Sequence, residues 1–329
     1  MSTLAANNPT IVDVESLKGP DGQIQKDIVE ILSQDNPFMM DGTFLEANGG
    51  TFHRHTIRTG IPEPTWKRYY EGVQPTKSGY VTVDEPIGMA ENFSQVDPDL
   101  LAHSGNPAMV RLHEATGILM GFNQSMESVS LYGSVSSNPT KFNGVLPRYS
   151  SLSAASGENI IDAGGTGSDN ASILLMTWSP LHSFFLYPKG SKAGLERIDR
   201  GEQPVTESNG AKRYVVEEQF KQHIGLAVRD WRGNVRIANI DKSLLKGQSG
   251  APAILELMAA AVDKLPTTAG ARHAFYMPRL VSTMLRIQCM KQTNVYLTMG
   301  NEESKRKVMF DGIPIRRCDQ MSADEARVT

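Results

Sequence analysis

The sequence predicts an α+β fold, and three observations carry that reading. Residues Phe38–Val96 hold β-type runs and turn chemistry with little helical character, a single unbroken helical pattern runs from Pro107 to Tyr132, and a β-rich stretch begins at Ala171 and includes two helices. The chain has 329 residues, enough for one large or two modest domains. Hydrophobic residues make up 40% and charged residues 21%, near the globular average, which excludes a wholly disordered chain. Lys+Arg number 33 and Asp+Glu 36, for a net charge of -3, so the chain lacks the basic excess of a dedicated nucleic-acid binder. The first residues carry no basic, apolar leader and no run of eighteen apolar residues occurs, so neither export nor a membrane is expected. Cys289 and Cys318 are too few for a disulfide framework and lack CxxC spacing; reduced thiols are expected. Glycine (29) and proline (18) are slightly in excess and unevenly placed.

Taken in order, residues 1–18 are polar and weakly patterned. Gly19-Pro20-Asp21-Gly22 turns into a short helix from about Gln23 to Ser33, with Ile24, Ile28, Ile31 and Leu32 at helical spacing, and Asn36-Pro37 closes it. Residues 1–37 therefore read as an arm with an amphipathic anchor. Within 38–96, Thr51–Arg58 forms one strand and Gly79–Asp84 opens another, joined by about twenty residues of proline- and glycine-punctuated loop. The first strand puts Thr51, His53 and His55 on one face and Phe52, Arg54, Thr56 and Arg58 on the other, so neither face is uniformly apolar. Isolated two-stranded hairpins are marginal in water, so this one should lie on its own domain or on another chain.

Asn106-Pro107 supplies an N-cap and an N1 proline, and Tyr132-Gly133 a C-terminal stop. The helix between them spans about 39 Å at the α-helical rise. Met109, Leu112, Leu119, Met126 and Val129 fall near one stripe, widened by Ile118 and Phe122, and Gly117 and Gly121 sit four apart on one face. Each glycine costs about 1 kcal/mol of helix propensity, which points to close packing of another backbone. A loop-like region to Asn170 follows. Strands are then expected at Ala171–Trp178, Ser183–Tyr187, Arg213–Phe220, Gly225–Val228 and Val235–Ile240. A helix over about Pro252–Leu265, a strand Ala274–Met277, a helix from Pro278, a strand Asn294–Thr298 and two short strands within Val308–Ile315 complete the chain.

No catalytic constellation emerges. His113-Glu114 begins an HExxH pattern, but Gly117 stands where the second histidine belongs. His53 and His55 share a strand face without a third ligand nearby, so solvated or interface histidines are expected. Gly164-Gly-Thr-Gly-Ser168 precedes a strand and lacks the Lys-Ser/Thr of a phosphate loop, Gly247-Gln-Ser-Gly250 lacks the spacing of a nucleophile elbow, and Lys305-Arg-Lys307 reads as a solvated turn. No cofactor or metal is expected.

The order of parts, with the strings Asn123–Gly133, Asn138–Gly144, Phe185–Gly190, Val235–Asp241 and Phe310–Arg316, resembles the major capsid proteins of tailed bacteriophages, the HK97-type fold, and among them coat proteins of short-tailed phages. The resemblance covers about Gln23 to Asp319. It implies a non-enzymatic coat protein, assembled in the host bacterial cytoplasm, whose copies form hexamers and pentamers of an icosahedral shell around double-stranded DNA without sequence specificity. Separate scaffold, cement and portal proteins would be its other partners. Residues 38–96 would be the E-loop lying over a neighbour, 97–170 the peripheral domain with the spine helix, 171–299 mainly the axial domain, and 300–329 a return to the peripheral domain. Candidate inter-subunit contacts are Trp66, Lys67, Tyr69 and Tyr70 near the hairpin tip, and Gly117 and Gly121 on the spine. The aromatics could instead pack on their own hairpin. Some members of this fold cross-link subunits through a lysine and an asparagine; Lys67 and Lys77 lie in the hairpin region, but no partner asparagine or catalytic carboxylate is identified, so that chemistry is not assigned. A motif-poor cytosolic α+β enzyme and another virion component such as a tail-tube protein are the alternatives.

Overall fold

The computed structural model describes residues 8–18, 24, 34, 36–206, 210–247, 252–266, 270–291, 297–302 and 305–329. In chain order these form α1 (Ile11–Ser16), α2 (Phe38–Asp41), β1 (Phe44–Glu46), β2 (Phe52–Gly60), β3 (Gly79–Val96), α3 (Pro98–His103) and α4 (Pro107–Tyr132). After two 3-10 turns come β4 (Ile160–Asp162), β5 (Asn170–Trp178), β6 (Ser183–Tyr187), β7 (Leu195–Thr206), β8 (Lys212–Val228), β9 (Val235–Asp241), α5 (Lys242–Gly247) and α6 (Ile254–Asp263). The chain continues through β10 (Arg272–Met277), α7 (Arg279–Lys291), β11 (Leu297–Glu302), β12 (Lys305–Phe310) and β13 (Ile313–Arg317). Of the helix expected over 23–33 only Ile24 is among the described residues, and it makes an antiparallel bridge with Lys18; Gln248–Gly250 lie outside them.

The chain divides into two compact units, one of residues 1–35, 89–127 and 193–223 and the other of 36–88, 128–192 and 224–329. In the first, α1 is held by a capping box: the Asp13 carboxylate accepts from the Thr10 backbone N–H at 2.7 Å, and Asp13 N–H donates to Thr10 Oγ1 at 3.4 Å. Its small core gathers Val14, Ile24, Val96, Leu101 and Val110. Strands β7 and β8 pair antiparallel from Leu195↔Gln222 to Thr206↔Lys212. Across them the buried carboxylate of Glu218 accepts from Arg111 Nε at 2.6 Å and Arg197 Nε at 2.8 Å, and Arg111 also reaches Asp199 at 2.6 Å. A buried carboxylate with two guanidinium partners is compensated, and the arrangement fixes α4 to the ribbon.

Helix α4 has the expected bounds, and Asn106 Oδ1 accepts from Met109 N–H at 3.3 Å. Its inner face keeps only part of the expected stripe. Val110, Ala115, Phe122 and Met126 are buried, whereas Leu112 and Leu119 are 51% and 45% exposed. Apolar residues lie on both sides of this helix, so sequence spacing alone does not say which side faces a core.

In the second unit β5 is buried along its whole length. It pairs antiparallel with β9 and β10, and β10 continues through parallel β13 to β12 and β11. On the other side β6 pairs antiparallel with the Gly225–Val228 end of β8 and parallel with β1. Ile173, Leu175, Val235, Ile237 and Phe275 of the sheet pack with Ile254 and Met258 of α6 and Val281 and Leu285 of α7. Phe38 of α2 sets its ring edge-on to Trp178 and Tyr276, at 5.0 and 4.9 Å between centroids. A buried ion pair ties 318–329 down: Arg236 Nη2 donates to Glu325 Oε2 at 2.8 Å, Arg236 Nη1 to Tyr149 O at 2.7 Å, and Tyr132 OH to Glu325 Oε1 at 2.7 Å. Cys289 and Cys318 are both buried and form no disulfide.

These units are divided differently from the segments expected of the sequence. Residues 193–223 separate from the rest of 171–299 because β7 pairs with β8, and residues 300–329 stay with β10 because β13 pairs with it. Strand β7 was not expected at all, and β8 is one strand where two were expected.

Candidate functional site

The second unit carries the hairpin of β2 and β3, paired antiparallel from Phe52↔Pro86 to Gly60↔Gly79 with a register shift between Arg58 and Gly60. Gly60 and Gly79 oppose each other so closely that a Cβ on Gly60 would lie 3.2 Å from Gly79 N. Asn48 fastens the start of β2, donating from Nδ2 to Arg54 O at 2.6 Å and accepting from Arg54 N–H at 2.8 Å.

The inner face of the root is polar and buried. His53 lies opposite Glu85 and His55 opposite Val83. The His53 ring stands edge-on to Phe184 at 5.6 Å between centroids and 6.1 Å from the His55 ring. Glu85 is buried and held in a fork by Arg148, Nη1 to Oε1 at 2.6 Å and Nη2 to Oε2 at 2.8 Å, and Arg148 also donates to Gly144 O and Leu226 O. Burial is the main force pushing both imidazoles below the ordinary histidine range; for His53 the Arg229 guanidinium adds to it. The expectation of solvated or interface histidines thus fails for His55, which is 6% exposed in the single chain.

The outer face of the shaft is a ladder of exposed polar pairs. Arg54 binds Asp84 in a fork at 2.7 Å for both contacts while its guanidinium lies 5.3 Å from the Phe52 ring centroid, and Arg58 lies 5.5 Å from the Tyr80 ring. The Arg54 hydrogen bond holds the Asp84 carboxyl below the usual carboxylate range. Exposed pairs are screened by water, so the ladder keeps the face wet more than it stabilises the hairpin.

Beyond the shaft every residue from Ile61 to Lys77 is exposed. Arg68–Glu71 makes a turn, with Glu71 N–H donating to Arg68 O at 3.2 Å and Arg68 N–H to Glu71 Oε2 at 3.0 Å. Tyr70 within it has φ 69°, a left-handed conformation that costs a bulky residue on the order of 1–3 kcal/mol. Trp66, Tyr69 and Tyr70 are 96%, 97% and 108% exposed, so they do not pack on their own hairpin, and Lys67 is exposed beside them. The structure therefore gathers four of the candidate contact residues at one tip. Gly117 and Gly121 are exposed on α4 in the other unit, and a Cβ on either would meet nothing within 4 Å. Among the described residues no backbone uses the space they leave.

Among the described residues no group of three His, Cys, Asp or Glu side chains could hold a metal, and no helix is long and apolar enough to cross a membrane. The site offers contact surface: exposed aromatic area on a two-stranded lever whose base is fastened by buried ionic contacts.

A family model described as major capsid protein GP7 matches residues 19–329. The solved structure of bacteriophage Epsilon15 contains a chain 33% identical to this one, covering 100% of both chains with a TM-score of 0.79. A chain of the bacteriophage JBD30 capsid is 8% identical, covering 90% of this chain and 96% of its own, with a TM-score of 0.47. No curated protein matches.

Proposed function

Because this chain belongs to the major capsid protein GP7 family, we propose that its projecting hairpin is the arm by which one copy grips the next. The protein is a structural coat protein of the phage head with an HK97-like fold, and its place is the virion shell. The observation that carries the hairpin assignment is the complete exposure of Trp66, Tyr69 and Tyr70 on a fastened two-stranded shaft. Large aromatics in contact-dense pockets dominate binding energy at protein interfaces, and here they have no cover within the chain. Lys67 would border the same contact, and Gly117 and Gly121 would admit a neighbouring backbone onto α4.

In this reading copies close into pentamers and hexamers through heterologous contacts. The unit with most of α4 serves as the peripheral domain and the unit built on β5, β9 and β10 as the axial one. The subunit has no enzymatic role. It encloses double-stranded DNA without reading its sequence, consistent with a net charge of -3, because tight phosphate binding needs a basic surface. Assembly takes place in the host cytoplasm with separate scaffold, cement and portal proteins. Negative-stain microscopy and sedimentation of the purified full chain test this: closed shells are expected from the intact chain, and folded but unassembled subunits when residues 61–77 are replaced by a short turn. Shells from the shortened chain would remove the hairpin from the assembly mechanism.

A further inference from the structure

The root of the hairpin contains a buried group with no partner. His55 is 6% exposed, and neither Nδ1 nor Nε2 makes a hydrogen bond. A neutral imidazole presents one donor and one acceptor, whereas the imidazolium presents two donors and a full charge. The nearest carboxylate is already shared: Glu85, across the ladder on β3, accepts from Arg148 at both oxygens, and the pull of its negative charge on a protonated ring is outweighed by burial. The remaining charged and titratable neighbours are His53 on β2, Arg148 and Arg229, which disfavour a further positive charge, and Asp84, which faces the other side of the ladder and is forked by Arg54.

We propose that His55 is a proton-operated latch at the hairpin root: the neutral ring lets β2 seat against the unit, and the protonated ring is accommodated only when the root opens and both ring N–H groups reach water. The direction follows from linkage. The closed root excludes a proton that the open root binds with the ordinary histidine affinity near pH 6.5, so closure is fully favoured above that pH and is lost progressively as pH falls below it. For one imidazole that stays unprotonated when closed, the open-to-closed ratio rises about tenfold between pH 7.5 and 5.5.

Hydrogen exchange of the purified full chain reads this opening, with rates corrected for the intrinsic pH dependence of exchange. The amides of 53–57, 83–85 and 87 are expected to open about tenfold more at pH 5.5 than at 7.5 for each such imidazole. In His55→Phe, which keeps a ring of similar size and cannot titrate, that tenfold share should vanish, while His53→Phe should retain it. NMR titration of the ring protons in the unaltered chain gives a second measurement that needs no variant: His55 should titrate below pH 6.5. The proposal is overturned by a pH-independent root in the unaltered chain, by an undiminished rise in His55→Phe, or by a His55 ring that titrates at or above 6.5. All these readings are made on unassembled subunits, so they stand apart from the assembly reading of the tip.

Discussion

Truncating the indole at the hairpin tip, Trp66→Ala, separates what the tip does for its own chain from what it does for another. Because Trp66 is 96% exposed, its removal should change the stability of the single chain by no more than about 0.5 kcal/mol. Covering an aromatic side chain in a neighbour removes about 150–250 Å² from water, an upper bound of about 4–6 kcal/mol at 25 cal/mol per Å². Ordering the loop and imperfect packing reduce that, and about 2 kcal/mol is the usual threshold of a hot spot. With one hairpin per subunit, a 2 kcal/mol loss weakens the contact about 30-fold. Thermal unfolding of the unassembled subunit should therefore be unchanged, while the protein concentration at which shells appear in a sedimentation titration should rise about 30-fold. A clear fall in melting temperature would mean that the indole packs on its own chain. An unchanged assembly threshold would mean that it packs on nothing.

Substitutions at Arg236, Glu325, Gly133 and Gly121 probe the scaffold. Arg236→Met leaves the buried Glu325 carboxylate without its cation and should cost about 3–5 kcal/mol in urea unfolding, much of it recovered by the double change Arg236→Met with Glu325→Met. Gly133→Ala would place a Cβ 2.5 Å from both Phe142 O and Val129 O, and a loss of about 1–3 kcal/mol in the same assay is expected. Gly121→Ala meets open space and should stabilise the single chain by up to about 1 kcal/mol through helix propensity. If a neighbour's backbone uses that space, Gly121→Leu should fold normally and lower the shell yield.

Helix α4 was legible to the residue because both of its ends are written in side chains: the Asn106 cap, and Gly133, where neighbouring carbonyls leave no room for a Cβ. The hairpin was legible from its turn chemistry, and its polar strands did indicate a hairpin that builds no core of its own. Strand β7 was not, because Glu196, Asp199, Gly201 and Pro204 break any alternation and the strand exists only through its pairing with β8. Sequence patterning opens a separate strand at Gly225, whereas β8 runs through it and Gly225 marks a close approach, since a Cβ there would lie 2.8 Å from Pro86 O. The Thr10–Asp13 capping box was a visible signal for α1 that went unread. His55 could not have been assigned from sequence: alternation places it on a face with His53, but only the packing of that face, with the His53 ring against Phe184, shows that it is the buried one.

The register shift between Arg58 and Gly60 sets the azimuth of the tip. A bulge adds one residue and a local increment of twist at a single point of a two-stranded ribbon, and here that point is the last step before the chain leaves for the exposed tip. Deleting Thr59 would remove that increment and rotate the aromatic group about the hairpin axis, with the buried core left as it is. Subunits differing by one residue at this joint would point the same adhesive tip at different parts of a neighbour. Geometry between copies could thus diverge through one short length of chain without any change in the interior.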